Sequence, residues 1–304
     1  GRGLAGGGSF ISPASVPAAV PVDALRDLDE ALAIARETLS PAAESWTQWA
    51  LCLVHAGQGR LGPALEAINE SLRIASAIGH REWMAGSRSI LGLLYVELFA
   101  PGLAQAQLAQ ALDLAGKAHS EHWFNATTGG LAAAYFLQDD LDQARACLEA
   151  ALSPETPMDS THQRTCWARR AELALLEGDH SQALEIVERL IDSAPGMESG
   201  RVIPLLWKLK AEALAAMGRP EEAGWLLRTA VRSARATGDW LLLWRLYASW
   251  GRLCGVTGRA PEAEQHLAAS RQLVDELADT IPEERLKDSF LQGACGLLMT
   301  SSKG

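Results

Sequence analysis

The chain has 304 residues, about half of them apolar and few of them aromatic, with ample material for a core and a formal net charge of -10. The acidic balance excludes a broad nucleic-acid surface, which needs clustered Lys and Arg to displace counterions. Five widely spaced cysteines, Cys52, Cys147, Cys166, Cys254 and Cys295, form no C-x-x-C pair and exclude both a disulfide framework and a thiolate metal site; they read as small apolar residues in a reduced, cytoplasmic protein.

Residues 1–22 are rich in Gly, Pro, Ser and Ala, lack the basic and apolar regions of a signal peptide, and read as a flexible linker or expression remnant. No uninterrupted apolar run is long enough to cross a bilayer, so no membrane partner is expected. Scarce β-branched residues and abundant Ala and Leu favour helix from residue 23 onward.

Seven alanines then recur in phase: Ala24, Ala64, Ala104, Ala144, Ala183, Ala223 and Ala263, at gaps of 40, 40, 40, 39, 40 and 40 residues. Four residues after each comes a branched aliphatic (Leu28, Ile68, Leu108, Leu148, Val187, Leu227, Leu267), and seven after each comes a small residue or Leu. Positions i, i+4 and i+7 share a helical face, where small residues admit a neighbouring helix and the aliphatic fills the space beside it. Gly59, Gly178, Gly218 and Gly258 stand five residues before a phase alanine, where a helix end takes the left-handed conformation; Phe99 and Asp139 hold that place in the other two units and predict turns built differently there. Pro63, Pro101, Pro220 and Pro261 precede the phase alanine within the first turn of the next helix. Each unit therefore reads as helix A, tight turn, helix B.

Helix A carries Trp167, Trp207 and Tyr247 at one fixed offset, followed by Leu91-Gly92 with Tyr95, Leu131-Ala132 with Tyr135, and Trp250-Gly251 with Cys254. Together with the phase alanines, this resembles the tetratricopeptide (TPR) pattern W-x2-L-G-x2-Y…A-x3-F…A, with Pro195 at its closing proline, over about residues 23–275. The expected fold is all-α: a right-handed α-solenoid of about six TPR-like hairpins of about 40 residues, with seven B helices and six A helices over 23–280. Each unit is some six residues longer than the usual repeat, and Trp83, Trp123 and Trp240 at the added helix starts predict extra packing. The array opens on a half-repeat, as a piece cut from a longer protein would, unless Phe10 and Ile11 cover its face. Residues 281–304 read as a capping helix and tail, with Pro282 and two glutamates at its start and Leu286, Phe290 and Leu291 on its inner face.

Nucleotide-binding and catalytic motifs are missing. There is no G-x-x-x-x-G-K-[ST], H-E-x-x-H or G-x-S-x-G; Gly129-Gly130 suits close helix packing, and His119 with His122 is too little for zinc. Asp139-Asp140 and Glu221-Glu222 fall at helix starts, where a capping role suffices. The expectation is a chain that is not an enzyme and needs no cofactor.

In TPR folds helix A lines the concave side, and that resemblance implies a groove of Trp46, Trp49 and Leu53, then Ser89, Leu93 and Val96, Gly129, Ala133 and Phe136, Thr165, Glu172 and Leu175, Lys208 and Glu212, and Arg245 and Arg252. Its front is apolar and aromatic and its back charged, which suits an amphipathic helix or peptide; Trp49 and Phe136 would anchor the apolar side, and Arg245 and Arg252 would seek acidic groups. Trp46 and Trp49 are equally explained as packing against the half-repeat, and Lys208–Glu212 as a solvated bridge. The unit length, the ending Ala31-Leu-Ala-Ile-Ala-Arg-Glu of helix B and the tail from Leu273 to Leu291 also resemble the C-terminal repeat regions of large bacterial signalling NTPases, linked to cyclase or LuxR-type domains. That resemblance implies a sensor or protein-interaction module of a signalling or transcription regulator, binding a protein or peptide partner or else a small-molecule inducer; a third alternative, a stand-alone enzyme on a helical scaffold, would need convergent polar groups that the sequence does not nominate.

Overall fold

In the computed structural model, residues 24–194 and 202–299 are described; the linker and Pro195 assignments lie outside them. Fourteen helices and no strand occur among the described residues. A half-repeat, α1 (Ala24–Glu37), precedes the hairpins α2 (Pro41–Gly57) with α3 (Leu61–Ala77), α4 (Arg81–Glu97) with α5 (Pro101–Lys117), and α6 (Glu121–Phe136) with α7 (Leu141–Ala151). The hairpins α8 (Thr161–Glu177) with α9 (His180–Asp192), α10 (Pro204–Ala216) with α11 (Pro220–Thr237), and α12 (Trp240–Val256) with α13 (Ala260–Ala278) follow, and α14 (Glu284–Met299) ends the array. The fold is a right-handed TPR-like solenoid, with even-numbered helices through α12 as the A helices.

The first two hairpins are built from four 17-residue helices joined by short turns, which accounts for their added length. Phe99 (φ 52°) and Asp139 (φ 58°) adopt the same left-handed conformation as Gly59, Gly178, Gly218 and Gly258, so those turns are not built differently. The backbone geometry of the tight turn overrides residue preference: once both helices are docked, their packing holds an L-residue where glycine would sit more easily.

The phase alanines are all buried. At the L-G positions the reason is visible: a Cβ on Gly92 would lie 2.5 Å from Leu108 Cγ, and one on Gly251 would lie 2.8 Å from Leu267 Cγ and 3.2 Å from the Ala263 carbonyl. Glycine of helix A thus faces the phase alanine and its i+4 aliphatic on helix B. The tryptophans at helix starts fill gaps between hairpins: Trp123 covers Gly86, and Trp240 packs over Gly59. Where the period loosens between α7 and α8, buried Arg164 ties the loop down, donating to the carbonyls of Met158 (3.2 Å) and Leu190 (2.5 Å) and to Ser193 Oγ (2.9 Å).

The two ends of the array meet. Thr280, after α13, accepts from the Leu61 and Gly62 N–H groups (3.0 and 2.9 Å) and donates through its hydroxyl to the Gly59 carbonyl (3.1 Å). Phe290 of α14 lies between Phe99 (6.2 Å) and Trp244 (6.5 Å), and a Cβ on Gly293 would overlap the Phe99 ring. Leu286 and Phe290 are buried, but α14 does more than cover the last hairpin, because it also packs against the turn of the second.

Ala144 is buried among Ala132, Leu148, Cys166 and Leu173, so Ala144→Leu overpacks the seam and costs about 1–3 kcal/mol in urea unfolding. An unchanged midpoint would place this alanine outside the seam. Gly293→Val has no room against Phe99, so α14 should detach and the ring open; small-angle scattering should show a larger radius of gyration, and a profile identical to wild type would refute the closure.

Candidate functional site

Closure leaves a cavity of 330 Å³, open on one side and lined mainly by the A helices. Leu93, Val96, Ala133 and Phe136 of α4 and α6, with Phe99, form an apolar wall. Arg169 and Glu172 of α8, Lys208 and Glu212 of α10, and Arg245 and Arg252 of α12 form a charged one. These residues recur three, four or seven apart on their helices, which turns each pair toward the same side.

The charges are paired. Arg169 meets Glu172 at 2.7 Å and Lys208 meets Glu212 at 2.9 Å. Glu212 also accepts from Ser249 Oγ (2.6 Å) and faces Arg252 at 3.6 Å. Burial pushes the Glu212 carboxyl up, but Lys208, Arg252 and the Ser249 hydrogen bond outweigh it, so the group sits below the usual carboxylate range. Arg252 is further held by Ser249 Oγ (3.0 Å) and the Leu297 carbonyl (3.2 Å). Arg245 spans the closure: it reaches Glu97 of α4 at 2.7 Å, donates to the Leu241 carbonyl (2.8 Å), and lies over the rings of Trp244 (4.5 Å) and Phe99 (5.8 Å). Neither arginine therefore stands free to seek acidic groups.

Of the sequence-derived groove residues, Leu93, Phe136, Glu172, Lys208, Glu212, Arg245 and Arg252 come together here, with Val96, Ala133 and Leu175. Trp46 and Trp49 do not line this cavity. They stack on one another at 4.8 Å in a separate narrow crevice with Trp83 and Trp123, and Trp49 is buried edge-on to Trp123. The length of Trp49 carries its indole into the seam, while Trp46 covers it from the exposed side. Ser89 is likewise turned inward, to Thr127 (2.7 Å), and Gly129 faces Thr165. His122 meets His162 of the next A helix at 4.7 Å rather than His119, which is a turn residue with φ 53°.

Sequence reasoning missed Glu97, Phe99, Arg169, Asp239, Trp244 and Leu297, all of which line the cavity. Two had a signal: Glu97 is one turn beyond Leu93, and Arg169 lies between Thr165 and Glu172 on one face. Phe99, Asp239 and Leu297 come from turns and the last helix, outside any helix A pattern.

Among solved structures, NprR in complex with its cognate peptide NprX is similar to this chain with a TM-score of 0.63 at 14% identity, over 90% of this chain and 82% of that one. The apo form of the quorum sensor NprR from B. thuringiensis gives 0.54 at 15% identity, over 82% of this chain and 81% of that one. A tetratricopeptide repeat protein from Parabacteroides merdae gives 0.51 at 17%, over 90% and 92%. The fold is that of the TPR-like solenoids. No protein-family model matches the sequence, and no curated protein matches it.

Asp239 caps α12, accepting from the Leu242 N–H (3.3 Å), and is buried at the cavity wall. Burial raises its carboxyl from 3.8 to about 7, with Glu97 adding to the rise and the cap hydrogen bond and Arg245 opposing it. A carboxyl raised on folding binds its proton more tightly in the native state, so this group stabilises least once it ionises: stability falls as pH rises from about 4 to about 7. Asp239→Asn keeps a capping side chain without the charge. Its advantage in unfolding free energy over wild type should grow across that window, to on the order of 2–4 kcal/mol, and level off above it. A difference constant between acid and neutral pH would contradict this.

Proposed function

We propose that this chain is a sensor or interaction module that takes a short peptide, or a segment of a partner protein, into the central cavity. The observation that carries the reading is the division of that cavity: an apolar wall from α4 and α6 faces a wall of paired charges from α8, α10 and α12. An amphipathic segment meets both needs, burying side chains on one wall and exchanging hydrogen bonds on the other. NprR, which shares the fold, was crystallised with a peptide, which supports the same class of ligand here. A module of this kind fits a bacterial signalling or transcription regulator in the cytoplasm, where occupancy of the solenoid is passed to other domains. We assign it no catalytic role and no cofactor.

The second reading, a small-molecule inducer, has its own support. At 330 Å³ the cavity is at the lower end of the range for small-ligand sites, which suits a compact ligand better than a long segment. A displayed random-peptide library and a metabolite panel read by thermal shift separate the two.

Leu176 is 56% exposed at the cavity rim, so Leu176→Glu should leave the fold intact. It should weaken a selected ligand roughly tenfold, as should Phe136→Ala, while Trp225→Ala on α11 should not. Ligands that bind both cavity variants with wild-type affinity would refute the assignment.

A further inference from the structure

A second cleft, of 580 Å³, lies away from the cavity between α11, α12 and α13. Arg228, Arg232 and Arg235 line it from α11, at spacings of four and three that put all three on one face. Opposite stand Tyr247 and Trp250 of α12 and His266 of α13. The rings are layered: Trp250 stacks on His266 at 3.9 Å and Tyr247 faces the same imidazole at 6.0 Å, both at 19°. Arg235 is committed, donating to the Tyr247 hydroxyl. Arg228 and Arg232 are exposed and make no hydrogen bond or ion pair among the described residues, and no carboxylate lines the cleft.

Exposed arginines are often merely solvated, but the pattern elsewhere in this chain differs. Arg73, Arg145, Arg219 and Arg259 each pair with an acid three residues away. The places three and four residues from Arg228 and Arg232 hold Gly224, Trp225, Thr229, Val231, Arg235, Ala236 and one another, so like charges stack along α11. Such spacing is unfavourable unless an anion relieves it. In a chain with 37 acidic and 27 basic residues, three guanidiniums without an acid among them form a local exception.

We propose that this cleft binds a phosphate-bearing ligand with a flat ring, of the nucleoside di- or triphosphate class. Two uncommitted guanidiniums match a multiply charged phosphate group, whose oxygens accept paired N–H donors, better than a single carboxylate. The aromatic wall offers a surface for a base, and the cleft has room for one ligand of this size. The net charge of -10 opposes an extended polyanion while leaving a single nucleotide tolerable, which favours a mononucleotide over RNA.

The test is calorimetric titration of the full chain with ADP, pyrophosphate, adenosine, a poly-U oligonucleotide and an acidic peptide. ADP should bind, pyrophosphate more weakly, and adenosine not detectably at millimolar concentration. The double variant Arg228→Gln/Arg232→Gln should lose at least roughly tenfold in ADP affinity with its melting midpoint unchanged, because both side chains are exposed and unpaired. Leu176→Glu should bind ADP as wild type does, so failure here and failure of the cavity assignment can be told apart. Undiminished ADP binding by the double variant, adenosine binding as tight as ADP, or pyrophosphate binding as tight as ADP would each overturn the proposal. So would binding of the oligonucleotide or the acidic peptide alone.

Discussion

Where Gly92 meets Leu108 and Gly251 meets Leu267, hydrogen is the largest side chain that fits, and the phase alanines on helix B are buried in the same seam. In these two hairpins the close approach fixes how the A helix lies on its B helix. Once the approach is fixed, the turn between them has little freedom, and Phe99 and Asp139 are held in a left-handed conformation that neither residue prefers. Six hairpins of unequal length, stacked in chain order, curve the array until its end reaches its beginning. Closure is in this sense a consequence of the seam, accumulated over six hairpins.

Closure changes what the concave face can be. An open solenoid offers a long groove, whereas here Phe99, Trp244 and Phe290 draw the ends together and Arg245–Glu97 bridges them, leaving a bounded cavity. The bridge is only about one-fifth exposed on either side chain, so each charge depends on the other for its solvation. Removing one partner strands the other. The contacts that bound the cavity are therefore the same contacts that close the ring, and any large occupant must work against them.

The repeat was legible in the sequence because it is local: seven alanines in phase, an aliphatic four residues on, and a turn five residues before. The charged wall was legible for the same reason, since Glu172, Lys208, Glu212, Arg245 and Arg252 sit at fixed places in an A helix whose inward face the phase defines. The closure was not. The link from Thr280 to Gly59, Leu61 and Gly62 joins residues more than 200 positions apart, and no periodicity encodes it. The tryptophans differ for a third reason: Trp46 and Trp49 have the spacing of groove residues, but their indoles stack on one another and Trp49 is buried edge-on to Trp123. Spacing gives the direction of the Cα–Cβ bond and not the end point of a long side chain.

The charged wall constrains what the cavity can recognise. Glu212 is held by Lys208, Ser249 and Arg252, and Glu97 is paired with Arg245, so apart from the buried carboxyl of Asp239 these charges have their counterions. A ligand carrying a single net charge would leave one member of a pair unmatched in a poorly hydrated space, which costs more than one new contact returns. A ligand that carries both charges, or neither, can enter by exchanging partners within the network. If the cavity binds a short peptide, this favours segments with balanced charge beside an apolar stretch. Selectivity would then come as much from the penalty on unbalanced ligands as from contacts to the right one.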